Sequence, residues 1–411
     1  MKIVTLTEQQ FQEYSTKHKY RSYFQSIAYG KAMTQLGYDA QLLGFVSNNN
    51  NLVGASLIIY KKVFMNNKIA YAPRGILYDY DNLENVKELA TALKKHLSKQ
   101  GFMLLKMDPY IPLTIRNREA DIINFNNKGN TIIDNLEKVG FTYKGKNLFF
   151  ENEHSRFEGI IMLDKNITDI FNNFDKKTRN KIRKSINSGI TVYKDETKKI
   201  GRLYEMATKK NNMPANYFNQ LKLNFKDDLE IYYAKIDTST FIINSRRKYE
   251  REQAINSELA YELQDTNKNI KQKESLLNKK MQSDKLINTY KNTLIKATDM
   301  LKKYPKGIII AGAMVIKYDN AAYIIEDTID EDYSQLDGGY LLKWRMIEDY
   351  KKENLKYINI NAVVGELERK NKYSGLNEYK LSFNSIITEY IGEFEIVLNN
   401  FAYKMYQNFG K

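Results

Sequence analysis

The stretch from Arg246 to Tyr304, RRKYEREQAINSELAYELQDTNKNIKQKESLLNKKMQSDKLINTYKNTLIKATDMLKKY, decides the fold. It contains neither glycine nor proline, and its apolar residues recur roughly three to four positions apart, a spacing typical of a coiled-coil seam. A single helix of this length would extend about 90 Å at 1.5 Å per residue. Strand-like segments lie on both sides of the stretch and must rejoin one sheet. We therefore predict an inserted antiparallel helical hairpin, with helices of about 40 Å that turn near residues 279–284.

Strand-like and helix-like segments alternate on both sides of this hairpin, in two successive sets of similar order. In the first set an amphipathic helix at 84–101 is followed by an apolar strand at 101–110. This alternation predicts an α+β fold with two domains of related architecture. The predicted parts are a first domain (1–150), a second domain (151–245 and 305–390), the coiled-coil arm (246–304), and a C-terminal segment that packs back on the first domain (391–411).

The composition indicates a folded chain with an excess of positive charge. Lys and Arg number 64 and Asp and Glu 49, which gives a net charge of +15 at pH 7. This excess favours phosphate-rich partners such as nucleic acid, a nucleotide or an anionic membrane face, although an AT-rich genome explains it equally well. The N-terminus lacks the apolar core of a signal peptide, and no run of about 18 apolar residues occurs. We expect a cytoplasmic protein that at most contacts the inner face of the cell membrane.

Cysteine is absent, which excludes disulfides, thiolate metal sites and thiol nucleophiles. The three histidines, His18, His96 and His154, are far apart in the sequence. Their separation argues against a histidine-based metal site and against a Ser-His-Asp triad. The sequence therefore predicts no metal site.

A dense cluster of positive charge lies in the segment DKKTRNKIRKSINSGI, Asp175 to Ile190. We predict a helix that ends at Gly189 and is anchored by Ile182 and Ile186. Three interpretations are open: a solvated surface, a site for the phosphates of a nucleic acid, and a contact with anionic lipid. The candidate phosphate-binding residues are Lys176, Lys177, Arg179, Lys181, Arg183 and Lys184.

Three further residues have both a functional and a simpler interpretation. Asp108 ends an apolar strand before Pro109, and substrate sites on such sheets gather where strands end. The simpler interpretation is a local turn in which the aspartate side chain accepts a hydrogen bond from nearby backbone. Lys380, in GLNEYKLSF, can be an ordinary lysine at the end of an element. Arg74 lies in a Pro-Arg-Gly turn, where a phosphate contact and a surface position are both open.

A series of segments, taken in order, resembles the Fem family (FemABX-like) of peptidoglycan interpeptide-bridge aminoacyltransferases. The resemblance covers nearly the whole chain and includes the coiled-coil arm. It implies two GNAT-like (acyl-CoA N-acyltransferase-like) domains and a substrate cleft between or beside them. It also implies transfer of glycine, serine or alanine from aminoacyl-tRNA to the amine of a stem peptide or growing bridge. The segments are YFQSIAYGKAMTQLGYDA, YAPRGILYDY, LKMDPY, NLEKVGFTYKG, KKTRNKIRKSINSGITV, SGLNEYKLSF and EYIGEFEIVLN.

The resemblance also assigns roles to individual residues. It implies that Asp108 orients or deprotonates the attacking amine, and that Lys380 stabilises the charge of the tetrahedral intermediate or contacts the end of the tRNA. The resemblance makes the basic helix a candidate tRNA-binding or precursor-phosphate-binding site. Where the family commonly has an arginine before the Tyr-Phe pair, this chain has Met213, so the basic helix is also a candidate for the lost phosphate contact. The implied substrate-binding residues are Lys31, Tyr71, Arg74, Tyr217 and Tyr379.

The implied partners are aminoacyl-tRNA, as co-substrate, and a lipid-linked muropeptide precursor; no metal and no organic cofactor are implied. The arm leaves open a tRNA contact and pairing as a homodimer or as a heterodimer with a paralogue. Two other functions stay open. One is a GNAT-type N-acyltransferase that uses acyl-CoA, against which the lack of a clear Arg/Gln-x-x-Gly-x-Gly/Ala loop counts. The other is a non-catalytic basic coiled-coil protein that binds nucleic acid or a membrane.

Overall fold

The computed structural model describes residues 1–208, 214–367 and 369–409. They form two β-sheets with helices on their faces and two long helices that pack on each other, which confirms the predicted α+β class. Within these ranges, none of the helices has both the length and the apolar character needed to span a membrane.

Seven strands of the described chain form the first sheet. In spatial order they are β1 (Lys2–Thr5), β2 (Asp39–Val46), β3 (Leu52–Lys62), β4 (Lys68–Ala72), β5 (Phe102–Met107), β16 (Phe394–Val397) and β8 (Thr142–Tyr143). Strands β4 and β5 run parallel and are joined by helix α3 (Leu83–Lys99), and the other neighbouring pairs are antiparallel. Ala72 pairs with Met107, so the carboxyl ends of β4 and β5 reach the same edge of the sheet.

Nine described strands form the second sheet, which repeats this arrangement. In spatial order they are β10 (Ile190–Lys194), β11 (Leu229–Ile236), β12 (Ile308–Tyr318), β13 (Ala321–Ile329), β14 (Tyr357–Ala362), β9 (Phe157–Met162), β15 (Ile386–Tyr390), β6 (Pro112–Arg116) and β7 (Ile122–Phe125). Strands β13 and β14 run parallel and are joined by helix α11 (Gly338–Lys352), as β4 and β5 are by α3.

The two sheets exchange strands, which the predicted domain boundaries do not anticipate. Residues 112–125 fall in the predicted first domain, yet β6 and β7 belong to the second sheet, where β6 pairs with β15. Buried polar bonds join this pair: Glu389 of β15 accepts the hydroxyl of Thr114 at 2.7 Å and the guanidinium of Arg116 at 2.9 Å. In return, β16 of the C-terminal segment inserts between β5 and β8 of the first sheet. The chain therefore crosses between the sheets more often than two consecutive domains would require.

The arm consists of α9 (Thr238–Glu262) and α10 (Ile270–Lys303), with 25 and 34 residues. The antiparallel helical pair is confirmed, but the predicted turn at 279–284 is wrong, because the chain turns between residues 263 and 269. Local polar groups set this position: Asn269 caps α10 and forms a capping box with Gln272, and Asp265 accepts the backbone N–H of Asn267 at 3.0 Å. The apolar spacing, from which the turn was predicted, does not include these capping signals.

Helices cover both faces of the second sheet. On one face, Tyr232 packs in a core with Ile182 of α6 (Lys176–Asn187) and Met346 of α11. On the other face, Tyr233 packs with Leu221 of α8 (Ala215–Phe225) and with Met33 of α2 (Ile27–Gln35), so that this core joins the two sheets. The other helices are α1 (Glu8–Ser15), α4 (Gly129–Lys138), α5 (Ile167–Asn172), α7 (Gly201–Thr208), α12 (Ser374–Leu381) and α13 (Asn400–Phe409).

Candidate active site

A cavity of about 1190 Å³ opens where the two sheets meet, and both contribute to its wall. Tyr71 comes from β4, Tyr217 from α8 and Tyr323 from β13. A concave site of this size can enclose a small molecule or the end of a larger one, so the cavity is the candidate substrate site. Its wall is rich in aromatic side chains, which also include Tyr23, Phe24, Tyr29, Tyr38, Tyr60, Tyr110, Phe150, Tyr403 and Tyr406.

Asp108 is buried at the edge where β4 and β5 end, and its carboxylate is held by the protein. Its Oδ1 accepts the backbone N–H of Arg74 at 2.7 Å and the phenol of Tyr71 at 2.9 Å. Its Oδ2 lies 2.8 Å from Nδ1 of His154. Asp108 therefore bonds groups on other elements and does not stabilise a local turn before Pro109. It lies behind the cavity wall, with Tyr71 and His154 in front of it.

His154 lies just before β9 and completes a hydrogen-bonded triangle with Asp108 and Tyr71, here called the Asp–Tyr–His triangle. Its Nδ1 is 2.6 Å from the phenol oxygen of Tyr71 as well as 2.8 Å from Asp108. The imidazole packs on Phe24, with ring centroids 4.2 Å apart. Burial, followed by the charge of Asp108, raises the pKa of Tyr71 well above its ordinary value, so the phenol keeps its hydrogen. The ring of His154 is thereby fixed in the cavity wall.

Arg74 joins the two halves through a buried ion pair. Its guanidinium donates to Glu158 of β9 at 2.6 Å and lies 3.6 Å from Asp108. The guanidinium lies between two rings, 5.2 Å from the centroid of Tyr110 and 5.0 Å from that of Tyr390. Burial alone would lower the pKa of Arg74, but Glu158 and Asp108 raise it above its ordinary value. The surface position that the sequence left open is therefore wrong, and the cation is already balanced by two carboxylates.

Glu158 is the second centre of this network. Its Oε2 accepts hydrogen bonds from Tyr110 at 2.9 Å, Asn359 at 2.7 Å and Tyr390 at 3.1 Å. The tyrosines stay protonated, because burial first, and then the charge of Glu158, raise the pKa of each well above its ordinary value. A buried carboxylate with this many donors holds the neighbouring strands in fixed positions at the floor of the cavity.

Lys380 is buried, so its interpretation as an ordinary lysine at an element end is wrong. Its Nζ donates to the carbonyls of Ile360 at 2.7 Å and Ala362 at 2.8 Å, at the end of β14. Burial lowers the pKa of Lys380 to about 8. Ala362 lines the cavity, whereas Lys380 lies behind it. Its neighbour Tyr379 points away and donates to the carbonyl of Gly339 at 3.1 Å.

Of the other implied substrate-binding residues, some line the cavity and some lie elsewhere. Tyr217 lines the cavity, and burial raises its pKa to about 12. Lys31 is exposed outside the cavity and pairs with Glu8 at 2.7 Å. Met213 lies outside the described residues. The structure thus brings Tyr71, Arg74 and Tyr217 together and leaves Lys31 and Tyr379 apart from them.

The predicted basic helix is α6, which lies on the face of the second sheet opposite the cavity. Part of its charge is used inside the protein. Lys184 pairs with Asp337 at 2.9 Å, and Lys181 donates to the phenol of Tyr340 at 2.8 Å. Arg179 donates to the carbonyl of Phe174 at 2.7 Å. Exposed on α6, without a hydrogen bond or ion pair in the described chain, are Lys176, Lys177 and Arg183.

His154, Glu158 and Asn359 belong to the site but were not predicted from the sequence. Glu158 carried a signal, since an acid within the apolar strand FEGIIM has to be paired if it is buried. His154 carried none, because its partner Asp108 lies 46 positions earlier. The separation of the histidines argued only against a histidine-based metal site and a Ser-His-Asp triad, and the structure places His154 beside Asp108.

Metal-ligating side chains do not gather in the described part of the chain. No group of three or more His, Asp or Glu residues in 1–208, 214–367 or 369–409 could hold a metal ion. The expectation that neither a metal nor an organic cofactor takes part stays a prediction.

Comparison with known proteins finds similar proteins that match this chain along nearly its entire length. Aminoacyltransferase FemA of Staphylococcus epidermidis is 24% identical over 424 residues, covering 100% of this chain and 99% of that protein. Aminoacyltransferase FemA of Staphylococcus aureus is 25% identical over 417 residues, covering 99% and 97%. The crystal structure of FemX has a TM-score of 0.71 with 18% identity and covers 100% of both chains, which confirms the fold.

These relatives define the class of the protein, an aminoacyltransferase enzyme. The sequence pattern of the FemAB family matches residues 6–411, and the chain belongs to the FemAB family.

Proposed function

We propose that this enzyme builds the peptidoglycan interpeptide bridge by moving an aminoacyl group from aminoacyl-tRNA to a free amine of the stem peptide or growing bridge. The amine nitrogen attacks the ester carbonyl, and the bond from that carbon to the ribose oxygen breaks. The ribose oxygen leaves with the electron pair and takes up the proton that the amine loses. The observation that carries the proposal is the Asp–Tyr–His triangle on the wall of a large cavity, in a chain of the FemAB family.

The wall of the cavity suits the two substrates. Aromatic faces can stack on the terminal adenosine of a tRNA, an interaction worth about 1–3 kcal/mol per base. Side chains of both charge signs line another part of the wall: Lys106 lies 3.7 Å from Glu153 and from Glu395, and Lys144 lies 3.1 Å from Glu395. A peptide that carries an amine and carboxylates finds partners for both among these groups. This mixed lining favours a peptide acceptor.

Lys380 acts in this proposal as a positioning residue. Its Nζ already binds two carbonyls of the segment that forms the cavity wall, so its removal leaves those carbonyls without their donor. The role that the resemblance implies, direct contact with the tetrahedral intermediate, requires the ammonium to release those carbonyls first.

Transfer is tested by incubating the protein with lipid-linked muropeptide precursor and total charged tRNA, and reading the product by mass. We expect the precursor to gain one or two amino acid residues, and the added mass identifies the donated amino acid. Deacylated tRNA is the control and should give no product. Acyl transfer from acetyl-CoA with no addition from any aminoacyl-tRNA would contradict the proposal and favour the acyl-CoA alternative.

The exposed cations of α6 are proposed to contact tRNA phosphates away from the reacting end. Lys176→Glu combined with Lys177→Glu is expected to weaken tRNA binding about tenfold and to reduce the slope of log affinity against log salt by about 1.5. Lys94→Glu with Lys95→Glu on α3 is the matched control, because it makes the same change in net charge at another exposed lysine pair. Filter binding across a salt series measures the affinity and its salt dependence for each double variant. Equal losses in the two double variants would show an effect of net charge alone.

A further inference from the structure

The imidazole of His154 has one engaged nitrogen and one free nitrogen. Its Nδ1 lies within hydrogen-bonding distance of Asp108 and Tyr71, whereas its Nε2 makes no hydrogen bond in the described chain and is not among the buried unpartnered atoms. The residue lines the cavity, with its side chain 17% exposed. The exposed part of the ring therefore includes Nε2, which opens to the cavity where the substrates are proposed to meet.

The hydrogen bonds around Asp108 determine which nitrogen carries the hydrogen. The phenol of Tyr71 and the backbone N–H of Arg74 both donate to Oδ1. Oδ2 faces Nδ1 of His154 at 2.8 Å, and a carboxylate only accepts, so Nδ1 donates the hydrogen. In the neutral imidazole Nε2 then has a lone pair directed away from Asp108. This is the tautomer that a base acting in the cavity needs.

We propose that His154 is the catalytic base of the aminoacyl transfer and that Asp108 is its positioning residue; this inference rests on the proposed function. Nε2 takes the proton of the attacking amine as the new C–N bond forms. It then gives that proton to the ribose oxygen as the ester C–O bond breaks. Asp108 stabilises the imidazolium between the two steps, and no oxidant, metal or further reactant is required.

Charged and titratable groups face His154 from several elements. The carboxylate of Asp108 lies 2.8 Å from its Nδ1, and the guanidinium of Arg74 lies 3.6 Å from that carboxylate. Tyr71 stays neutral, and Phe24 covers a face of the ring. Glu153, the preceding residue in the chain, lies 3.7 Å from Lys106, so its charge is partly balanced.

The test uses the full-length protein, lipid-linked precursor and charged tRNA, with the rate of a single turnover measured as a function of pH. His154→Gln is expected to slow transfer about 10²–10⁴-fold and to remove the limb of the pH profile that belongs to the base, while KM for both substrates changes little. His96→Gln, on α3 away from the cavity, is the matched control and should keep the rate and the profile.

A second variant distinguishes the loss of the catalytic base from a loss of the folded structure. His154→Ala leaves a space beside Phe24, and added imidazole is expected to restore part of the rate with a pH dependence that follows the added base. Full activity and an unchanged pH profile in His154→Gln would overturn the inference while leaving the transferase function intact. Absence of product with the wild-type protein would instead overturn the proposed function. A loss in His154→Ala that imidazole does not restore, with normal thermal unfolding, would also count against the base.

Discussion

Arg74→Leu is expected to lower the free energy of unfolding by about 3–5 kcal/mol, because it leaves two buried carboxylates without their cation. Glu158 would keep its three neutral donors but lose the guanidinium at 2.6 Å, and Asp108 would lose the positive charge 3.6 Å away. The loss extends across both sheets, since Arg74 follows β4 and Glu158 lies in β9. Denaturant unfolding of the purified protein measures the effect.

The control for this prediction is Arg118→Leu. Arg118 also pairs with two carboxylates, those of Glu119 and Asp175, but these three side chains are between 37% and 55% exposed. An exposed pair contributes about 0–1 kcal/mol, so this variant should unfold near the wild type. Similar stability of Arg74→Leu and the wild type would show that the buried pair does not hold the two halves together.

Asp108→Asn is expected to reduce kcat about 10³–10⁴-fold while the protein stays folded. The two donors at Oδ1, from Tyr71 and from the backbone of Arg74, require the amide oxygen there. The amide NH₂ then faces Nδ1 of His154, which has to accept a hydrogen bond, and the imidazole hydrogen moves to Nε2. The base would lose the lone pair that faces the cavity.

Steady-state kinetics separate kcat from KM in this experiment. Asp39→Asn is the control, because Asp39 is exposed at the start of β2 and away from the cavity. A tyrosine-dependent or substrate-assisted reaction would leave kcat of Asp108→Asn within a few-fold of the wild type. That outcome would assign Asp108 to structure alone.

The elements that carry the site could be predicted to a useful degree. The apolar strand ending at Asp108, the Pro-Arg-Gly turn at Arg74 and the amphipathic helix between them were all predicted from the sequence. In the structure β4 and β5 run parallel on either side of the connecting helix α3, which places both residues at one edge of the sheet. What could not be predicted was burial. A surface position was the simpler of the open interpretations for both Arg74 and Lys380, yet both are buried, with partners supplied by distant strands.

In the arm, too, the sequence predicted the elements but not their exact position. Its apolar spacing predicted two antiparallel helices, because periodicity reports which side of a helix is covered. The position of the turn depends on polar groups at Asn269 and Asp265. The apolar spacing of the coiled-coil stretch contains no information about these groups. The apolar spacing alone therefore placed the turn too late in the chain.

By itself the sequence determined the α+β class, the inserted helical pair and the resemblance to the Fem family, because these follow from local periodicity and from motifs in order. Only the tertiary structure decided what the charged residues do. It joined Asp108 to His154 across 46 positions and Arg74 to Glu158 across 84. Such contacts arise from the way the two sheets pack, and local patterns carry no information about partners at that separation. A histidine without any motif thereby becomes the candidate base, and the most basic helix lies on the opposite face of the second sheet.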